Sequence, residues 1–176
     1  IRERTGIGER RIVRPGDEAE RNSSLGAKAA LKALEMAGKR PEDVDQILYG
    51  TCTGDTLIPS TACWAQKKMG ATRAAAMDIN GACSGFVYAL SIADQFIRTG
   101  YSKTIVVIGA DILSAFTNWE DRNSCILFGD GAGALVVERA PENSERRILS
   151  THMQTDGNLW HLFHVVAGGS NQATTP

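Results

Sequence analysis

The segment "NGACSGF", residues 80–86, sets one cysteine, Cys83, among the smallest side chains in the chain. Free cysteine is one of the most buried residue types, so packing is its commonest role. Three features here favour a nucleophile. An amphipathic run begins immediately after Cys83, and the unpaired amides and macrodipole of a helix start favour the thiolate, the reactive form of the side chain. Gly81, Ala82, Ser84 and Gly85 leave space around the sulfur that a packed core would fill. Cys83 also follows the end of an apolar, strand-like run, and in parallel α/β sheets ligands bind beyond the carboxyl ends of the strands. A thiolate at the bottom of such a pocket can attack a thioester, with backbone N–H groups holding the developing oxyanion.

The remaining candidates read differently. Cys52, Cys63 and Cys125 each sit in or beside an apolar run and are expected to be core or edge residues. There is no C-x-x-C pair and no Cys/His pair at zinc-ligand spacing, while His152, His161 and His164 share one late segment without a cysteine, which argues against a metal centre. The glycine string "FGDGAGA", 128–134, resembles a phosphate loop only in composition. Such a loop leads from a strand into a helix whose N-terminus holds the anion, whereas this one runs into "LVVER", a strand pattern.

The elements that must position Cys83 follow from periodicity. Leu25, Ala29, Leu31, Leu34 and Met36 recur at near-helical spacing, with Ser23 or Ser24 as the cap and Gly38 and Pro41 as the stop. "DQILYGTC", 45–52, is a buried strand. Pro59 and Ser60 open a second helix that Gly70 closes, and "AAAMDIN" is a second strand. A third helix, 84–99, carries Phe86, Leu90, Ala93 and Ile97 on one stripe. "KTIVVIGA", 103–110, is rich in β-branched residues, as a strand covered on both faces should be. Strands separated by helices of this length imply right-handed crossovers and a parallel sheet. The alternation then changes: "GALVVERA" and "RILSTHMQTD" read as two strands joined by "PENSER", an antiparallel hairpin at the sheet edge.

Bulk properties fit one α/β domain over residues 1–176. The chain has 176 residues, 43% of them hydrophobic, and a formal net charge of -1. That suits a compact domain with a real core and leaves no electrostatic footprint for nucleic acid or an anionic membrane surface. Apolar runs are strand-sized and no secretory segment is recognisable, so the expected setting is the cytoplasm, with reduced thiols. Both ends read as cut, and a fragment is expected.

Several stretches together, "RTGIGERR", "DINGACSGFVYAL", "DRNSCILFGDGAGA" and "THMQTDG" before "GGS", resemble the N-terminal half of β-ketoacyl-acyl-carrier-protein synthase III, a thiolase-superfamily condensing enzyme. The resemblance implies a thiolase-like α/β half-domain with a mixed five-stranded sheet covered by helices, here lacking its first strand, which it puts in the middle of the sheet. It implies that Cys83 accepts an acyl group from a short acyl-CoA and that a decarboxylative condensation with malonyl-acyl-carrier protein follows. It implies that Arg4 and Arg122 hold the CoA nucleotide, that Asn123 lies nearby, and that Ile58 crosses a homodimer interface to close the partner's acyl pocket. Phe128 becomes a pocket-wall aromatic. CoA enters as a substrate thioester and no cofactor is implied. The family's catalytic His and Asn belong to a second half, and no "HQAN"-like string occurs here. Two alternatives stand beside this reading: a related condensing enzyme or acyltransferase of secondary metabolism, and an inactive half that serves only folding or dimerisation.

Overall fold

A computed structural model describes residues 2–173. Among these, the helices are α1 (Arg2–Thr5), α2 (Asn22–Met36), α3 (Thr61–Met69) and α4 (Gly85–Arg98), and the strands are β1 (Gln46–Gly50), β2 (Ala75–Ile79), β3 (Thr104–Ile112) and β4 (Asp130–Glu138). The four strands form one mixed sheet in the order β2-β1-β3-β4. β1 is parallel to both β2 and β3, and β4 is antiparallel to β3, with Thr104 opposite Glu138 and Ile112 opposite Asp130.

The two-residue period of the central strands sends their side chains into two cores. Ile47, Tyr49, Val106 and Ile108 meet α2 and α3 through Ala27, Ala30, Leu34, Ala62, Ala65 and Met69. Leu48, Ile105 and Val107 meet Ala89, Ala93 and Ile97 of α4, with Phe86 and Leu90 packed alongside. The sheet is therefore sandwiched, α2 and α3 on one face and α4 on the other. The stripe read for the third helix is the one that α4 buries, with Ala89 added.

Helix ends are set partly by residues far away in sequence. α2 ends in a Schellman arrangement, in which Gly38, at φ 64°, lets the Lys39 N–H reach the Leu34 carbonyl at 2.9 Å. Its start differs from the expected serine cap. Ser23 and Ser24 lie inside the first turn, where the Ser23 hydroxyl donates to Asp55 and the Ser24 hydroxyl to the Glu18 carbonyl. α3 begins at Thr61, and its first amides are held by a neighbouring strand: Thr61 N and Ala62 N each donate to the Asp78 carboxylate of β2 at 2.7 Å. An anion there meets both the unpaired donors and the positive end of the dipole.

Two expectations are corrected. Residues 147–156 form no ladder; this segment runs beside α4, where Arg98 donates to the Ile148 carbonyl and the Tyr88 hydroxyl to that of Gln154. Its backbone partners are thus side chains of a helix, and β4 keeps an unpartnered edge among the described residues. Among the described residues β1 and β3 pair directly from Gln46↔Ile105 to Gly50↔Gly109, in a mixed sheet with one strand fewer than the five that the resemblance implies. The glycine string, read as a tight turn or close backbone approach leading into a strand, instead lies largely within β4, and a Cβ on Gly131 or Gly133 would meet nothing within 4 Å.

Gly50 ends β1 where α4 begins. A Cβ on Gly50 would stand 2.6 Å from the Gly85 carbonyl carbon and from the Phe86 nitrogen, both backbone atoms that cannot swing aside. Gly131 has no atom within 4 Å of such a Cβ. Gly50→Ala is therefore expected to lower unfolding free energy by about 2–3 kcal/mol or more, in the overpacking range, while Gly131→Ala changes it by less than about 0.5 kcal/mol. Denaturant unfolding of the two variants in the full-length protein checks this; equal effects would contradict it.

Candidate active site

Cys83 sits in a single 3-10 turn, Ala82–Ser84, that runs straight into α4. Ala82, just before it, has φ 45°, a left-handed conformation that a residue with a Cβ adopts at some cost. The surroundings hold it there. Gly85 packs on Gly50, a Cβ on Gly109 would touch the Phe86 ring at 2.9 Å, and one on Gly81 would enter the Tyr88 ring at 2.6 Å. The turn is thereby clamped over the carboxyl ends of β1 and β3, and Cys83 remains exposed. It lines a cavity of about 640 Å³ with Ala82, Phe86, Gly50, Gly109, Asp111 and the glycine-rich start of β4. Small residues make this space, as expected around an attacking thiolate.

Beneath the turn lies a polar network that sequence reading missed. Asp111, at the end of β3, accepts through one oxygen from Thr51 Oγ1 (3.1 Å), Cys52 N (2.9 Å) and Thr53 Oγ1 (2.8 Å), and the Cys52 sulfur lies 3.5 Å away. Asn22, buried at the start of α2, donates to Thr51 Oγ1, to both oxygens of Thr53 and to the Ala110 carbonyl. The Tyr49 hydroxyl donates in turn to Asn22, and its burial, with Asp55, Asp78 and Asp111 around it, pushes its phenol far above the ordinary value. This network pins loop 51–53 against the cavity. A polar residue ending the buried run "TIVVIGAD" is the one signal that could have revealed Asp111.

The comparisons with known proteins now apply. Residues 77–157 match the family described as 3-oxoacyl-[acyl-carrier-protein (ACP)] synthase III. The chain is 48% identical over 172 residues to a β-ketoacyl-[acyl-carrier-protein] synthase III of Xylella fastidiosa, covering 96% of this chain and 51% of that protein. It is 48% identical over 170 residues to its counterpart in Caldanaerobacter subterraneus, covering 97% and 50%. The chain belongs to the β-ketoacyl-acyl-carrier-protein synthase III family. It spans about half the length of the curated relatives it matches. The crystal structure of the Aquifex aeolicus 3-oxoacyl-[acyl-carrier-protein] synthase III superposes with a TM-score of 0.81 at 46% identity, over 88% of this chain and 48% of that one. The priming β-ketosynthase of the R1128 polyketide pathway superposes at 0.74 with 36% identity, over 78% and 40%. The thiolase-like fold is thus established, and the chain corresponds to the N-terminal half of the synthase III relatives.

Of the residues singled out by the synthase III resemblance, only Cys83 lines the 640 Å³ cavity. Arg4 is exposed in α1, and Arg122 and Asn123 are exposed in loop 121–124. The Asp121 carboxyl organises that loop, held below its usual range first by the Ser124 hydroxyl and then by the Asn123 amide. Arg10 donates to the Ile126 carbonyl at 3.0 Å, which brings the segments bearing Arg4 and Arg122 alongside each other. Ile58 is 87% exposed in a loop shaped by Thr56, which donates to the Pro59 carbonyl and accepts from the Trp64 indole. Phe128 is half-buried and stacks on Phe163, with ring centroids 5.9 Å apart.

The other cysteines correct an expectation. Cys52 and Cys63 are exposed, Cys52 in the loop after β1 and Cys63 in the first turn of α3; Cys125 is half-buried in a short turn. His161 and His164 flank the Trp160 ring, away from Cys83's cavity.

Asn22→Leu should cost about 2–4 kcal/mol, because it removes the side-chain donor to the buried Thr53 and Ala110 carbonyls, each worth roughly 1–3 kcal/mol when left without a partner, while the Tyr49 hydroxyl keeps the backbone carbonyl of residue 22. Chemical denaturation of the full-length variant measures this. A loss below about 1 kcal/mol would show that the network does not hold loop 51–53.

Proposed function

We propose that this chain is the nucleophile-bearing half of a condensing enzyme that initiates fatty-acid synthesis in the cytoplasm. One observation carries the reading: Cys83, exposed at the head of α4 and facing a cavity walled by glycine and alanine, lies in a chain matching synthase III relatives over 96% of its length. The Cys83 thiolate attacks the carbonyl carbon of a short acyl-CoA. A C–S bond forms to Cys83, the C–S bond to CoA breaks, and CoA leaves as its thiolate to be protonated. Malonyl-acyl-carrier protein then loses CO₂, and the resulting enolate carbon attacks the acyl-Cys83 carbonyl, releasing a β-ketoacyl product and the free cysteine. Each step balances without oxidant or reductant. The enolate is stabilised by a His and an Asn from the half that this chain does not span. Arg4, Arg122 and Asn123 bind the CoA nucleotide, Phe128 walls the pocket, and Ile58, exposed here, reaches across a homodimer interface to limit acyl length.

A second reading, a priming ketosynthase of secondary metabolism, is favoured by the likeness to the R1128 enzyme. It shares the acyl-Cys83 step and differs in the acceptor, so turnover with different carrier proteins separates the two.

The nucleophile is tested by incubating the full-length protein with a short acyl-CoA and digesting it. The acyl mass is expected on the peptide carrying Cys83; its appearance on Cys52, Cys63 or Cys125 alone overturns the assignment. Arg4→Ala and Arg122→Ala each remove a charge-assisted contact worth roughly 1.5–3 kcal/mol. KM for acyl-CoA should rise by about 10- to 150-fold while kcat stays within a few-fold, the pattern of lost uniform binding. A large fall in kcat at constant KM would place these arginines in the chemistry.

A further inference from the structure

Two thiols, not one, border the carboxyl end of this sheet. Cys83 lines the cavity together with Asp111, and the Cys52 sulfur lies 3.5 Å from Asp111 Oδ1, with the Cys52 amide bonded to the same oxygen at 2.9 Å. We infer that Asp111 is a positioning residue that holds the Cys52 thiol as a hydrogen-bond donor, so that of these two sulfurs only Cys83 takes and keeps the acyl group. The inference rests on Cys83 being the acyl acceptor. It concerns the side reaction that a second thiol threatens. A Cys52 thiolate could attack the acyl-Cys83 carbonyl: a C–S bond would form to Cys52, the bond to Cys83 would break, and Cys83 would leave as a thiolate. The exchange is nearly isoenergetic and would move the acyl group off the nucleophile.

The arrangement opposes that reaction. Only a protonated thiol can donate to the carboxylate, and a thiolate there would face a fixed negative charge. Although Cys52 reaches solvent, the protein packed around loop 51–53 removes enough water to push its thiol up to about 11, with the Asp111 charge and hydrogen bond adding to the effect and Cys83 contributing further. These are the titratable groups that bear on the sulfur. The other nearby carboxylates are engaged elsewhere, Asp55 by Ser23 and Asp78 by the first amides of α3. A rise from 9.0 to about 11 lowers the thiolate fraction near neutral pH by about a hundredfold.

The test is alkylation of the full-length protein with iodoacetamide from pH 7 to 11.5, with each cysteine followed by peptide mass spectrometry. In the wild type, the Cys52 rate should climb tenfold per pH unit to a midpoint near 11. In Asp111→Asn, whose amide oxygen still accepts from Thr51, Thr53 and the Cys52 amide, the midpoint should fall by a unit or more and the neutral-pH rate should rise at least tenfold. A wild-type midpoint at or below 9, or no shift in Asp111→Asn, overturns the inference. Should Asp111→Asn not fold, Asp111→Glu, which moves the carboxylate by one methylene, is read for the same shift. A parallel incubation with a short acyl-CoA should give acyl on Cys83 alone in the wild type and on both cysteines in Asp111→Asn. Acyl that never reaches Cys83 in the wild type defeats the nucleophile assignment instead, and the Cys52 midpoint keeps the two failures apart.

Discussion

The contact on which the site depends is the one between two backbones, at Gly50 where β1 ends and Gly85 where α4 begins. A Cβ on either residue would meet main-chain atoms of the other segment, at 2.6 Å from Gly50 and 3.4 Å from Gly85. With no side chain between them, the first turn of α4 drops onto the carboxyl edge of the sheet. Cys83, two residues earlier, is then held directly above β1 and β3, facing a space no larger than the cavity it lines. Ala82 absorbs the mismatch through its left-handed backbone. A bulkier pair would lift the helix start, relax Ala82 and turn the sulfur away from the strand ends.

The proposed role of Cys83 sets an electrostatic constraint, since this end of the sheet is also rich in carboxylates. The chain resolves it by giving each carboxylate close donors. Asp78 caps α3, Asp55 is bound by Ser23, Asp111 gathers loop 51–53, and Asp130 accepts from the Val13 and Ser114 amides and the Ser114 hydroxyl. Each partner is an amide, a hydroxyl or, at Asp111, the Cys52 thiol, so the bonds fix loops without adding charge. The same bonds hold the loops that wall the site.

What periodicity could reveal, it revealed: the spans of α2, α3, α4, β1 and β3, and Cys83 at a strand-to-helix junction. These depend on residues a few positions apart. What it missed depends on pairs 16 to 88 residues apart, such as Asp78 on α3 and Asn22 on Ala110, where no local pattern distinguishes a cap or a network from a polar surface. The two serines before Leu25 carried a good capping signal and serve other elements. Strand order is likewise not a local property: periodicity marks β1 and β3 as strands and says nothing of their pairing with each other. Residues 147–156 read as a strand, yet Arg98 and Tyr88 of α4 take the Ile148 and Gln154 carbonyls.

The glycines separate into two groups by what surrounds them, and the division bears on how the cavity stays open. Gly50, Gly85 and Gly109 are required from within, because neighbouring backbone or the Phe86 ring occupies the place of their Cβ. Gly131 and Gly133 have nothing within 4 Å and no left-handed backbone, so neither packing nor conformation of this chain demands glycine at either position. Both line the space beside Cys83. Strand β4 meanwhile gives up side chains that would have stiffened it, at a small cost in strand stability. A wall of bare backbone is what remains, and it leaves the space beside the Cys83 sulfur open, with no side chain having to move aside.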